Sequence, residues 1–293
     1  SKWSKKARAQ RPYKKDRKNR MQLTGTTTLL VALKAEAQPL IDHYRLKSVQ
    51  QHPFPIYANE QLKIVITGIG KCPSAAALAH TAAFFSILPN HIWINFGIAG
   101  HKDHAIGTAV AVSKVISKSS RQTWYPNLIK LPNTLVKPLT THDAVVDDYV
   151  DDTLCDMEAA GFMSAGSSLH IKNECLFVFK LISDNKLSHA KNITKSLVVE
   201  IVKTHIPTLE ALIKKAEMRV QDARNFELEL GSELFEKWHF SQTQKSQLRE
   251  GIRRFKALDK QTLWQDMELN NCATAKDVIE NLNRRLQKLL PKF

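Results

Sequence analysis

The stretch that most constrains the fold is Leu176-Phe177-Val178-Phe179, an apolar run that continues through Lys180-Leu181-Ile182 into Ser183-Asp184-Asn185. A run with so little polar alternation reads as a strand buried on both faces, the usual setting of a parallel strand in an α/β sheet. Asp184 then emerges at the C-terminal end, where open α/β sheets place their chemistry. An acid there can protonate a leaving group if a low-dielectric pocket raises its pKa. The same Ser-Asp-Asn is equally a turn or a helix N-cap, and both readings stand at this point.

Two further strand-to-helix passages share this pattern. Thr27-Thr28-Leu29-Leu30-Val31-Ala32-Leu33 is a short β-rich run followed by a helix start that carries Glu36 in its first turn, near the strand end. A carboxylate there is favoured by the helix dipole, and it can also hold a water or a sugar hydroxyl. Leu62 to Thr67 predicts a strand, turned by Gly68-Ile69-Gly70-Lys71 into an Ala-rich helix from Ser74 to Phe85. This turn is neither GxxxxGK[ST] nor GxGxxG, which argues against a nucleoside-triphosphate loop.

His91 to Phe96 predicts a third strand running into Gly97-Ile98-Ala99-Gly100, and Ile106 to Val112 a fourth. The glycines leave room for a substrate against bare backbone, or simply allow a tight connection. Residues 117 to 145, with Pro126, Pro132 and Pro138, read as a long irregular excursion of the kind that forms lids. Asp156-Met157-Glu158-Ala159-Ala160-Gly161 is expected to open a helix, with Glu158 able to accept from two vicinal hydroxyls at once.

Taken in order, these stretches resemble the nucleoside phosphorylase superfamily, and within it the methylthioadenosine/S-adenosylhomocysteine nucleosidases. The resemblance covers about residues 26 to 205 and lies in Ala32 to Glu36, Gly68 to Lys71, Gly97 to Gly100, Asp156 to Ala160 and Ser183-Asp184. It implies a three-layer α/β/α domain with a mixed, mostly parallel sheet, acting on the bond between a purine-like base and ribose. Asp184 would protonate the base, Glu36 would orient the attacking water, Glu158 would hold the ribose hydroxyls and Met157 would pack on the sugar. Gly68, Gly97, Ile98, Ala99, Gly100 and Ser183 complete the expected binding set. No Gly-Asp-Pro-x-Arg phosphate loop follows Met21, and a carboxylate at Glu36 would repel phosphate. Water is therefore expected as the nucleophile, with a phosphorylase and a non-catalytic nucleoside-binding protein as the alternatives. The chain departs from the family pattern at His101, where a further glycine is usual, and at Lys180, where an arginine is.

Charge divides the chain further. Of the net charge of +15, residues 1–20 carry +9, from ten Lys or Arg against one Asp. Such an arm, without apolar periodicity, is expected to be disordered, and it reads first as a solvated tail with no role of its own and second as a weak binder of nucleic-acid phosphates. Trp3 and Tyr13 are its only aromatics for stacking. The arm and Leu29 to Leu33 mimic a signal peptide, but Lys34 interrupts a run already too short. No stretch approaches the ~20 apolar residues a membrane span needs. Cys72, Cys155, Cys175 and Cys272 have no zinc-ligand spacing. These features predict a cytoplasmic protein with reduced thiols, no metal or cofactor and no membrane contact, and a homo-oligomer is expected.

Beyond Phe226, three amphipathic patterns predict a helical extension: Leu230, Leu234, Phe235 and Trp238; Leu248, Ile252, Phe255 and Leu258; Val278, Leu282, Leu286 and Leu290. The expected division is therefore 1–20, 21–224 and 225–293. Arg249, Arg253, Arg254 and Lys256 form one modest basic face, and Arg284, Arg285 and Lys288 another.

Overall fold

The computed structural model describes residues 26–85, 90–146, 149–241, 243–244, 247–248, 250–252, 254 and 272–289, with backbone alone over 223–236. The basic arm, Phe255, Leu258, Leu290, Arg249, Arg253 and Lys256 lie outside the described residues, as do the side chains of Leu230, Leu234 and Phe235. The chain falls into two compact units, the first ending at Glu217 and the second starting at Met218.

The first unit is built on ten strands: β1 (Thr27–Val31), β2 (Lys47–Gln50), β3 (Ile56–Ala58), β4 (Leu62–Ile66), β5 (Ile92–Gly100), β6 (Ala109–Ser117), β7 (Thr123–Trp124), β8 (Leu135–Thr141), β9 (Leu154–Asp156) and β10 (Leu176–Asp184). Their order is β10-β6-β8-β9-β5-β1-β4-β3-β2, with β7 paired to β6. An additional pairing between β10 and β5 closes five of the strands into a ring. Five pairings are parallel and five antiparallel, and the longest, such as β10 with β5 and β6 with β8, are parallel. β1 and β10 are buried at every position, which is why their sequences lack alternation.

Helices α1 (Lys34–His43), α2 (Lys71–Phe85), α3 (Ala159–Ser168), α4 (Lys195–Thr204) and α5 (Ile206–Lys237) follow the strands. α1 packs on α4, and α2 on α3. Small residues allow the second contact to be close: a Cβ on Gly161 would lie 2.0 Å from the Lys71 carbonyl oxygen. Thr194 caps α4 by accepting from the Leu197 N–H at 3.2 Å. Pro207 stands in the first turn of α5, where its missing N–H costs nothing.

Two sequence expectations need correction. Residues 117–145 are not one irregular excursion, because β6 runs to Ser117 and β7 and β8 follow. Pro138 hid the second of these strands. It sits opposite Lys114, where the β6–β8 register shifts, so its lack of an N–H falls at an irregularity. Asp156 does not open a helix either. It ends β9, and α3 begins at Ala159, whose N–H donates to Asp156 Oδ2 at 2.9 Å.

In the second unit Trp238, Phe240, Leu248, Ile252, Val278, Ile279, Leu282 and Leu286 form an apolar cluster. The helix Ala275–Leu289 contributes the last four, and its start is capped reciprocally by Thr274 and Asp277. No described helix is long and apolar enough to cross a membrane.

Candidate active site

The C-terminal ends of β1, β5, β9 and β10 open into a cleft. Its lining includes Glu36, Ile98, Ala99, Gly100, Met157, Glu158, Ser183 and Asp184, all of them predicted from sequence. Gly68 and Gly97 are not on its surface.

Glu36 is the third residue of α1. One carboxylate oxygen accepts from the Leu33 N–H at 2.7 Å, bonding back to the residue before the helix, and the other from the Ile98 N–H at 2.8 Å. Gly97 makes this fit possible, since a Cβ there would stand 2.8 Å from Glu36 Oε1. The room at the glycine turn is thus taken by the chain's own carboxylate. Burial pushes the Glu36 carboxyl up to about 7, against the opposing pull of the two backbone donors and of Lys180.

Asp184 faces Gly100 across the β5–β10 pairing because the register shifts between Ile182 and Asp184. A Cβ on Gly100 would fall 2.5 Å from Asp184 Oδ2. Both carboxyl oxygens of Asp184 accept hydrogen bonds, Oδ1 from the Ser183 hydroxyl at 2.5 Å and Oδ2 from the buried Tyr149 hydroxyl. Tyr149 was missed in the sequence, where one aromatic among aspartates carries no periodic signal.

Glu158 precedes α3 and reaches back to α2. Its Oε1 accepts from the Gly70 N–H at 2.8 Å, which places a carboxylate at the start of that helix, where the dipole favours it. Gly70 adopts φ +110°, a left-handed conformation that suits glycine. The Glu158 carboxyl is raised by burial, with Lys180 pulling the other way.

Beneath these acids lies an ion pair that sequence reading did not assemble. Lys180 Nζ is 2.9 Å from Asp156 Oδ2, with both side chains inaccessible. Asp156 also accepts from the Thr141 hydroxyl at 2.7 Å. Burial alone would lower the Lys180 pKa, but Asp156, Glu158 and Glu36 together outweigh it and hold it above the usual lysine range. Lys71, at the mouth of the Gly68–Gly70 turn, is engaged by Asp143 at 2.6 Å and by the Ser119 hydroxyl at 2.7 Å. Among the described residues no group of His, Cys, Asp and Glu has the arrangement of a metal site.

No protein-family model and no curated protein sequence matches this chain. Solved structures do. The chain superposes on a 5′-methylthioadenosine/S-adenosylhomocysteine nucleosidase from S. pneumoniae bound to a transition-state inhibitor, with a TM-score of 0.53 and 18% identity over 64% of this chain and 98% of that one. The 5′-methylthioadenosine nucleosidase of Arabidopsis thaliana gives 0.52 and 16%, over 68% and 95%. Futalosine hydrolase of Helicobacter pylori gives 0.54 and 11%, over 67% and 100%. The chain therefore shares the fold of these solved nucleosidase structures.

Proposed function

We propose that this chain is a nucleosidase that hydrolyses the N-glycosidic bond of a purine-type nucleoside, with or without a 5′ substituent, on a three-layer α/β/α frame. One observation carries the reading: Glu36, Glu158 and Asp184, far apart in sequence, line a single cleft at the C-terminal ends of the strands. The likeness in fold to solved nucleosidases supports a nucleoside as the substrate.

In this reading Asp184, as the general acid, passes a proton to a base nitrogen as the C1′–N bond breaks, so the bonding electrons leave with a neutral base. Ser183 holds one oxygen of the acid, and the base takes the place of the Tyr149 hydroxyl at the other. Positive charge grows on the sugar ring and is favoured by the neighbouring carboxylates. Glu36 accepts a proton from a water whose oxygen bonds to C1′. Asp184 and Glu36 then return to their starting states by exchange with solvent. Glu158 receives the ribose hydroxyls, and Met157 covers the sugar.

The choice of water over phosphate is supported by the same geometry. The Gly70 N–H at the start of α2, a natural anion donor, is occupied by Glu158, and a phosphate beside Glu36 and Glu158 would face two carboxylates.

The test is release of free base from purine nucleosides, 5′-thio derivatives included, with and without phosphate. Release without phosphate is expected, and Asp184→Asn should lower it by about 10²–10⁴-fold while sparing nucleoside binding. Release that requires phosphate would replace hydrolysis with phosphorolysis. Binding with no turnover from folded protein would make the chain a nucleoside-binding protein.

A further inference from the structure

His101, the first residue after β5, is fully buried, and it bonds in an unusual way. Its ring Nδ1 accepts from the backbone N–H of Asp103 at 3.1 Å and of His104 at 3.2 Å, closing the 101–104 turn as an Asx side chain would. A ring nitrogen that accepts carries no proton, so the neutral imidazole has its hydrogen on Nε2, 3.3 Å from Asp152 Oδ1.

The turn is fastened to the residues around Asp184. The His101 N–H donates to the Asp184 carbonyl at 3.0 Å, and the Gly107 N–H to Ile182 at 2.7 Å. Asn185 Nδ2 donates to the His104 carbonyl at 2.9 Å, and the Lys186 N–H to Lys102 at 3.3 Å. The backbone carrying Asp184 is therefore clamped from both sides by residues 101–107.

We propose that His101 is a positioning residue: its neutral imidazole holds the turn that fixes Asp184 over the cleft, and protonation of Nδ1 releases that turn. The inference rests on the reading of Asp184 as the acid. A cationic ring would point an N–H at the two amides it now accepts from, and neither bond would survive. The groups facing the ring are His104, with centroids 4.3 Å apart, Asp152, Asp103, Lys137 and Lys102. Burial lowers the His101 pKa, with His104 and Lys137 acting the same way and Asp152 and Asp103 opposing them. Release therefore occurs on the acid side of the ordinary histidine range.

The experiment compares the full chain with His101→Asn and His101→Ala, using 5′-methylthioadenosine as the probe for base release. In the unaltered protein kcat falls about tenfold per pH unit below the Glu36 titration near 7, and the slope steepens as His101 protonates, adding about a further tenfold loss in all. Asparagine can accept the same two N–H groups and does not titrate, so His101→Asn keeps the tenfold slope throughout. His101→Ala lowers kcat about tenfold at pH 7.5 and changes KM less than about twofold. Over the same pH range, NMR amide signals of Asp103, His104, Asp184 and Asn185 move together with the His101 ring, and hold still in His101→Asn. Identical slopes in the unaltered and asparagine proteins, or Asp184 and Asn185 amides that ignore the His101 titration, would overturn the proposal. Amides that move in a protein without turnover of 5′-methylthioadenosine would uphold His101 as the clamp and, once the wider purine-nucleoside panel also gives none, refute the nucleosidase reading instead.

Discussion

Lys63, in β4, and Lys180, in β10, are 2% and 1% exposed, yet their surroundings treat them in opposite ways. At Lys63 burial lowers the pKa to about 8. The ammonium lies 5.5 Å from the centre of the Phe85 ring, and close by His91 is pushed down to about 3 by burial and by the Lys63 charge. His91 therefore stays neutral and pairs with the Thr28 hydroxyl at 2.7 Å. At Lys180 the same burial is overcome by Asp156, Glu158 and Glu36. Both side chains are shielded from solvent, and at Lys180 it is the surrounding carboxylates that keep the charge. One end of the sheet is packed with polar groups driven toward neutrality, whereas the other holds a fixed charge under the cleft.

The largest effect should come from breaking the second arrangement. Lys180→Met leaves Asp156 and Glu158 buried without their cation, and removing one partner of a buried pair costs about 3–5 kcal/mol. Urea unfolding at pH 7 measures it. A loss below about 1 kcal/mol would mean that the acids find other compensation, and the contrast with Lys63 would collapse.

Glu36→Gln tests the same cleft through pH. The Glu36 pKa rises from 4.5 in the unfolded chain to about 7 in the folded one, so the folded state keeps a proton that the unfolded state has released. The stability this gives is fully present below pH 4.5 and is lost as pH rises through 7, by up to about 3 kcal/mol. Glutamine does not titrate. Between pH 4.5 and 7.5 the stability difference should therefore move in favour of the variant by up to that amount. Parallel pH curves for the two proteins would show that Glu36 ionises as readily as an exposed carboxylate.

The comparison also explains what was legible in the sequence. The β10 run announces itself because a strand buried on both faces has few polar choices, and Asp184 follows from where that run stops. Glu36 was legible as a first-turn carboxylate, since the reciprocal bond to Leu33 is local. Its second bond, to Ile98, spans 62 residues and has no local signal. Gly97 and Gly100 were legible as places of close approach, but the sequence cannot say that the approaching groups are Glu36 and Asp184. The pairing of Lys180 with Asp156 and of Tyr149 with Asp184 depends on strand order, and β8 was hidden by Pro138 at a register shift. Long-range pairing, which carries the electrostatics, is the layer that local pattern leaves out.

The smallest effect belongs to Lys63→Met, and it sharpens the contrast because the chemical change is the one made at Lys180. The folded-state pKa of Lys63, about 8, lies below the unfolded value of 10.5, so between these limits the unfolded chain binds the extra proton. The unaltered protein therefore gains stability as pH rises from 8 to 10.5, and Lys63→Met lacks that gain. At pH 7 methionine removes an ammonium held against its own desolvation and fills similar volume with apolar surface. The stability change should stay within about 1 kcal/mol. Base release should be unchanged, since Lys63 is not part of the cleft lining. If Lys63→Met were as damaging as Lys180→Met, the company of a buried lysine would not be what distinguishes the two ends of the sheet.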